Sequence, residues 1–150
     1  MALFGKKKKT AELDGPPRDI SWIKSPKNVF YRFFNLDPDE EGLKNMSAVF
    51  VLWHGGYRPE WIHAGKTDDM AATINEIYAN EEIMDYDRDG KLFITWSQIK
   101  PEFQDGVVLY LNQVMTPSVP FLTIPPEEED EDEEEIEIIP IPVYPPGVTG

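Results

Sequence analysis

Only two imidazoles, His54 and His63, and no cysteine occur among the 150 residues. Thiolate nucleophiles, disulfides and cysteine-based zinc sites are thereby excluded, and two histidines with no local third ligand do not make a zinc site. Hydrogen-bonded histidines at strand ends are the expectation. Asp85-Tyr86-Asp87-Arg88-Asp89-Gly90 spells the first half of a calcium loop, with Leu92 at its usual apolar position. The twelfth position is Trp96, where a bidentate glutamate is needed, so a solvated acidic turn is expected instead. Lys6 to Lys9 place four positive charges in a row. Against an anionic surface each is worth at most about 1 kcal/mol, and the arm is read as solubilising or as pairing with the chain's own acids. No metal and no cofactor is expected.

The elements that must hold these residues follow from apolar periodicity. Ala48 to Trp53 is a continuous apolar run closed by His54-Gly55-Gly56, which suits a buried strand. Trp61 to Ala64 reads as a second strand returning through a hairpin, and Leu92 to Trp96 as a third. Asp68 or Asp69 caps a helix carrying Met70, Ile74, Ile77 and Tyr78 as one stripe. Pro101 opens a second helix, with Phe103, Val107, Tyr110, Leu111 and Val114 on one face until Pro117 ends it. The order is β, β, α, β, α. The expected fold is α+β: a small three-stranded antiparallel sheet with flanking helices, occupying 47–120 as one domain. Before it lie a flexible basic arm, 1–19, and an extension, 20–46, that packs on the domain. Trp22 and the aromatics from Phe30 to Phe34 in that extension are candidates for an interaction surface. After the domain comes an acidic, proline-rich tail, 121–150, expected to be disordered.

The net charge of −14 is unevenly distributed. Residues 121–150 hold ten acids and no base, residues 47–120 hold eleven acids and five bases, and residues 1–46 hold seven acids and nine bases. A net-acidic domain is a poor electrostatic footprint for phosphate, so nucleic acid is disfavoured as a partner. No apolar run approaches the roughly 18 residues of a membrane span, and the basic start is followed by TAELDG rather than an apolar stretch, so a cytoplasmic location is expected.

The segment from Ala48 to Val119 resembles a GIY-YIG endonuclease-like domain. Ala48-Val49-Phe50 lies where the first name motif would, and His63-Ala64-Gly65 where the second would. Gly65 to Met70 is similar to the polar turn entering the family's first helix, and Trp53-His54-Gly55-Gly56 and Leu92 to Trp96 resemble a bacterial branch of such proteins. The resemblance implies a tyrosine that manages the attacking water's proton, often a second one, an arginine for phosphate charge, a glutamate that binds metal and an asparagine. Those positions fall here on Phe50, His63, Thr73, Val108 and Pro120. None carries the required group, so the resemblance implies the fold without the activity. Asp105, on roughly the same helical face as Val108, is the one candidate for a displaced metal ligand. Thr73 and Val108 flank their apolar stripes, so Phe50, His63, Thr73 and Val108 should border a vestigial groove.

The chain closes on Ile136, Ile138, Ile139, Ile141, Val143 and Tyr144, too apolar for an inert tail yet kept extended by Pro140 and Pro142. Such a segment suits docking in a partner's groove or sheet edge. The expected function is therefore a non-catalytic protein-interaction protein, an adaptor or scaffold, whose tail binds a protein partner. Two alternatives stand beside it: a nucleic-acid binder or residual nuclease whose acidic tail mimics nucleic acid, and a structural subunit of a larger assembly.

Overall fold

The computed structural model describes residues 8–9, 13, 15–39, 41–55, 59–87, 91–119 and 136–147. In chain order the elements are β1 (Lys8–Lys9), β2 (Tyr31–Arg32), a 3-10 turn (Phe33–Asn35), β3 (Ala48–His54), β4 (Glu60–Thr67), α1 (Met70–Tyr78), α2 (Glu81–Met84), β5 (Leu92–Ser97), α3 (Pro101–Met115) and β6 (Ile136–Glu137). The fold is α+β. Its main sheet is antiparallel, ordered β2-β5-β3-β4, with β3 paired on both sides. The unbroken apolar run of β3 fits this central place, because both of its faces are covered.

The sheet therefore has four strands rather than the three expected. Tyr31 and Arg32 pair with Ile94 and Phe93 on the outer side of β5, and two residues are too few to leave a period in an aromatic-rich stretch. Beside them the Ile23 amide donates to the Trp96 carbonyl at 3.0 Å, while the Thr95 and Ser97 hydroxyls donate to the carbonyls of Ile23 and Ile20. On the opposite edge the amides of Ser118 and Val119 donate to the carbonyls of Trp61 and Ile62. The outer side of β5 and the outer edge of β4 thus have backbone partners that limit pairing with other chains.

Alternation along the strands sorts side chains to two faces. Phe50, Leu52, Ile62, Ile94 and Trp96 join α1 and α2 in one cluster, which also takes in Phe33, Leu36 and Leu43 from the N-terminal extension. Val49, Val51 and Ala64 join Val107, Val108, Leu111 and Met115 of α3 in the other. Asp69 caps α1 by accepting from the Ala72 amide, and it also accepts from Asn45, tying the extension to the helix.

The second cluster contains two residues from the expected disordered tail. Ile141 and Val143 are each 1% exposed against α3 and the sheet. The described residues 136–147 form a strap across α3 and are part of the core. The Ile141 amide donates to the Gly106 carbonyl at 2.9 Å, the Arg18 amide to Pro142 and the Tyr144 amide to Arg18. Trp22 Nε1 donates to the Tyr144 carbonyl at 2.8 Å. Prolines at alternate positions remove donors but leave carbonyls and the intervening amides available, so an extended strap can still bond its surroundings. The same contacts hold residues 18–22, the end of the expected basic arm and the start of the extension, and Lys8–Lys9 pair in parallel with Ile136–Glu137. The acidic run 127–135 lies outside the described residues. No helix among the described residues is long and apolar enough to cross a membrane.

Candidate functional site

A cavity of about 560 Å³ opens between β3, β4, α1 and α2, lined by Phe50, His63, Lys66, Thr73, Glu76, Ile77, Asn80, Glu82, Ile83 and Val119. Three of the positions that the resemblance implied meet here. Phe50 comes from the centre of β3. His63 faces the same side from β4, where a register shift beside Leu52 gives the strand an extra residue and re-aims its side chains. Thr73 comes from the first turns of α1, whose start is fixed by the Asp69 cap.

His63 lies 5.8 Å from Phe50, ring centre to ring centre, and its Nδ1 is 2.6 Å from the Val119 carbonyl oxygen. A carbonyl only accepts, so Nδ1 carries the proton and Nε2 is the acceptor nitrogen. Burial holds the imidazole's pKa below its ordinary value of 6.5, against the opposing influence of the Val119 carbonyl and the Glu82 carboxylate. The ring is therefore neutral at pH 7. The Thr73 hydroxyl donates to the Thr67 hydroxyl at 2.6 Å, and Thr67 also accepts from the Asp69 amide, so these groups serve the entry to α1. Lys66 is ion-paired with Asp105 at 2.7 Å, both about one-third exposed. The acid that the resemblance offered as a displaced metal ligand thus neutralises the cavity's lysine.

Val108 does not border this cavity. It is buried in the α3 cluster on the opposite face of the sheet. A helical wheel locates a residue around its helix axis but not on which side of the sheet the helix packs; the segment 98–100 carries α3 to the other face. Pro120 lies outside the described residues.

The two histidines stay apart in register: His54 is opposite Glu60, whereas His63 is opposite Leu52. Of the calcium-like turn, Asp87 accepts from the Leu92 amide and so closes the chain into β5, while residues 88–90 lie outside the described residues. Trp96, at the twelfth position, is buried. No group of three or more His, Asp or Glu among the described residues is placed to hold a metal.

No protein-family model, curated protein or solved structure matches this chain.

Chemically, the cavity offers a neutral imidazole, the Thr73 hydroxyl and an apolar wall of Phe50, Ile77, Ile83 and Val119. With Lys66 paired, Glu76 and Glu82 give its rim a negative balance. That sign repels phosphate.

The six tail residues occupy a second place. Ile136 lies in β6, Ile138, Ile139 and Tyr144 are half-buried, and Ile141 and Val143 anchor the strap. Sequence reasoning missed the residue that seats them, Gly106. A Cβ there would fall against the Ile139 carbonyl oxygen and 2.7 Å from Ile141 Cγ1. A glycine inside a helix costs roughly 1 kcal/mol relative to alanine, and that local cost was the available sign of a close backbone approach.

Proposed function

We propose that this protein is a non-catalytic adaptor or scaffold of the cytosol, built on a degenerate GIY-YIG-like domain, whose C-terminal segment docks to a protein partner. The observation that carries the non-catalytic half is the charge of the cavity where Phe50, His63 and Thr73 meet: its lysine is paired and its rim is acidic. Phosphodiester cleavage needs the reverse, fixed positive charge and a metal on an acid that faces the substrate. The order of strands and helices between 48 and 115 agrees with the one the resemblance implies, with α2 added.

The docking half is supported by the strap. Residues 138–144 bind their own domain as an extended peptide, with main-chain hydrogen bonds for affinity and Ile141 and Val143 as side-chain anchors. These are the elements by which extended peptides are recognised between chains.

Two experiments test the reading. Full-length protein incubated with DNA and RNA in magnesium or manganese should give no cleavage; cleavage that disappears in His63→Ala would overturn the non-catalytic half. Affinity capture with Gly106→Ala, in which the strap cannot seat, should recover more of a specific partner than wild type. Equal recovery by wild type, Gly106→Ala and an Ile141→Asp/Val143→Asp variant would remove the tail from the reading.

A further inference from the structure

Register places four side chains in one row across the whole sheet, away from the cavity. Arg32 of β2 faces Phe93 of β5, Phe93 faces Trp53 of β3, and Trp53 faces Trp61 of β4. Trp53 stacks on Phe93 at 5.7 Å and meets Trp61 at 6.1 Å with planes inclined by 65°. Phe30 adds an edge contact to Trp53 at 5.0 Å. All four rings are half-buried.

This row binds cations within the chain. The Lys24 ammonium sits 5.0 Å from the centre of Phe30, and the Arg32 guanidinium 5.8 Å from the centre of Phe93. Both are distances at which the ring quadrupole attracts positive charge. At the other end of the row, Trp53 and Trp61 bound a cleft of about 240 Å³ completed by Pro59 and Glu60. It has two inclined indole surfaces, tryptophan being the strongest cation binder among the aromatic side chains. It also has a carboxylate, held by a hydrogen bond from the Ser118 hydroxyl.

We infer that the Trp53–Trp61 cleft is a recognition site for an alkylammonium group, the side-chain end of a lysine or methylated lysine on a partner protein. Two features select the cation: the indole faces, which attract charge without hydrogen bonds, and Glu60, which supplies the opposite sign. A partner protein as the source rests on the adaptor reading; the chemistry of the cleft does not.

Small probes separate the two. Titrating full-length protein with Nα-acetyl-lysine methylamide, its Nε-trimethyl form and the uncharged norleucine counterpart should give saturable shifts of the Trp53 and Trp61 indole resonances with the two cations. The norleucine compound should bind about tenfold more weakly. Glu60→Gln keeps an acceptor for Ser118 and should weaken the trimethyl probe severalfold. Trp61→Phe should weaken it less than Trp61→Ala, and Glu60→Gln decides alone where Trp61→Ala fails to fold. Equal binding of the norleucine compound, an unchanged affinity in Glu60→Gln and Trp61→Phe, or no saturable response would overturn the inference. Probe binding without partner capture would sink the adaptor reading and leave the cleft's chemistry standing.

Discussion

The two faces of the sheet are covered by different strategies. On the α1 face the cover is made largely by segments next to their strands in sequence, and it leaves a cavity where Phe50, His63 and Thr73 meet. On the α3 face the cover is completed by the two ends of the chain: Leu13, Ile20 and Trp22 from one and Ile141 and Val143 from the other. The first face retains the kind of concavity in which ligands bind. The second is closed by a strap that works as a peptide ligand of its own domain. A concavity with a partly polar lining can remain open, but an apolar helix face has to be covered.

Several substitutions would break or sharpen that contrast. The largest effect is expected at the strap's anchor. Ile141→Ala should lower the unfolding free energy by about 2–5 kcal/mol, as much as Ile74→Ala on the α1 face, when both are measured by urea denaturation. A loss below roughly 0.5 kcal/mol, the surface value, would make the strap an ornament. Next comes Gly106→Ala. Helix propensity alone would stabilise by about 1 kcal/mol, yet the clash with Ile139 and Ile141 should turn this into a net loss, together with faster proteolysis of the tail.

A third prediction concerns pH and only the α1 face. His63 has a lowered pKa in the fold, so below 6.5 the unfolded chain takes up a proton that the native ring resists. Stability is therefore fully present above that value, falls as the pH drops below it, and levels off once the folded ring also titrates. The melting temperature of wild type should fall between about pH 7.5 and about 5.5 more steeply than that of His63→Gln; parallel curves would mean that the ring is not buried as described. The smallest effect is expected for Lys66–Asp105. A double-mutant cycle should give about 0.2–1 kcal/mol, reduced by salt, since the pair is partly exposed.

Much of the fold was legible because its signals are local. The strand from Ala48 and the Met70/Ile74/Ile77 stripe stand where spacing put them, and of the two aspartates offered as the helix cap, Asp68 and Asp69, it is Asp69 that caps. Tyr78 closes that stripe only in part, its ring packed on Phe33 and its hydroxyl donating to the Phe33 carbonyl. The α3 stripe was less legible. Val107 and Leu111 are buried as expected, but Val114 is 50% exposed while Gln104, Gly106 and Val108 are covered. The covered arc is wider than one sheet could make it, because the strap supplies a second surface. Gln104 shows the cost of that burial and how it is met: its amide donates to the Ser47 hydroxyl and the Ile99 carbonyl.

The sequence by itself determined the α+β fold class and the absence of any thiol chemistry. Those are statements about residue types and short-range period, and no packing can add a missing thiol. Tertiary structure alone decided that Val108 belongs to the face opposite Phe50 and that the tail's isoleucines complete the core. It also aligned Arg32, Phe93, Trp53 and Trp61 in one row. Each depends on pairing between segments far apart in the chain, where a two-residue strand or a single glycine settles register and approach while leaving almost no periodic trace.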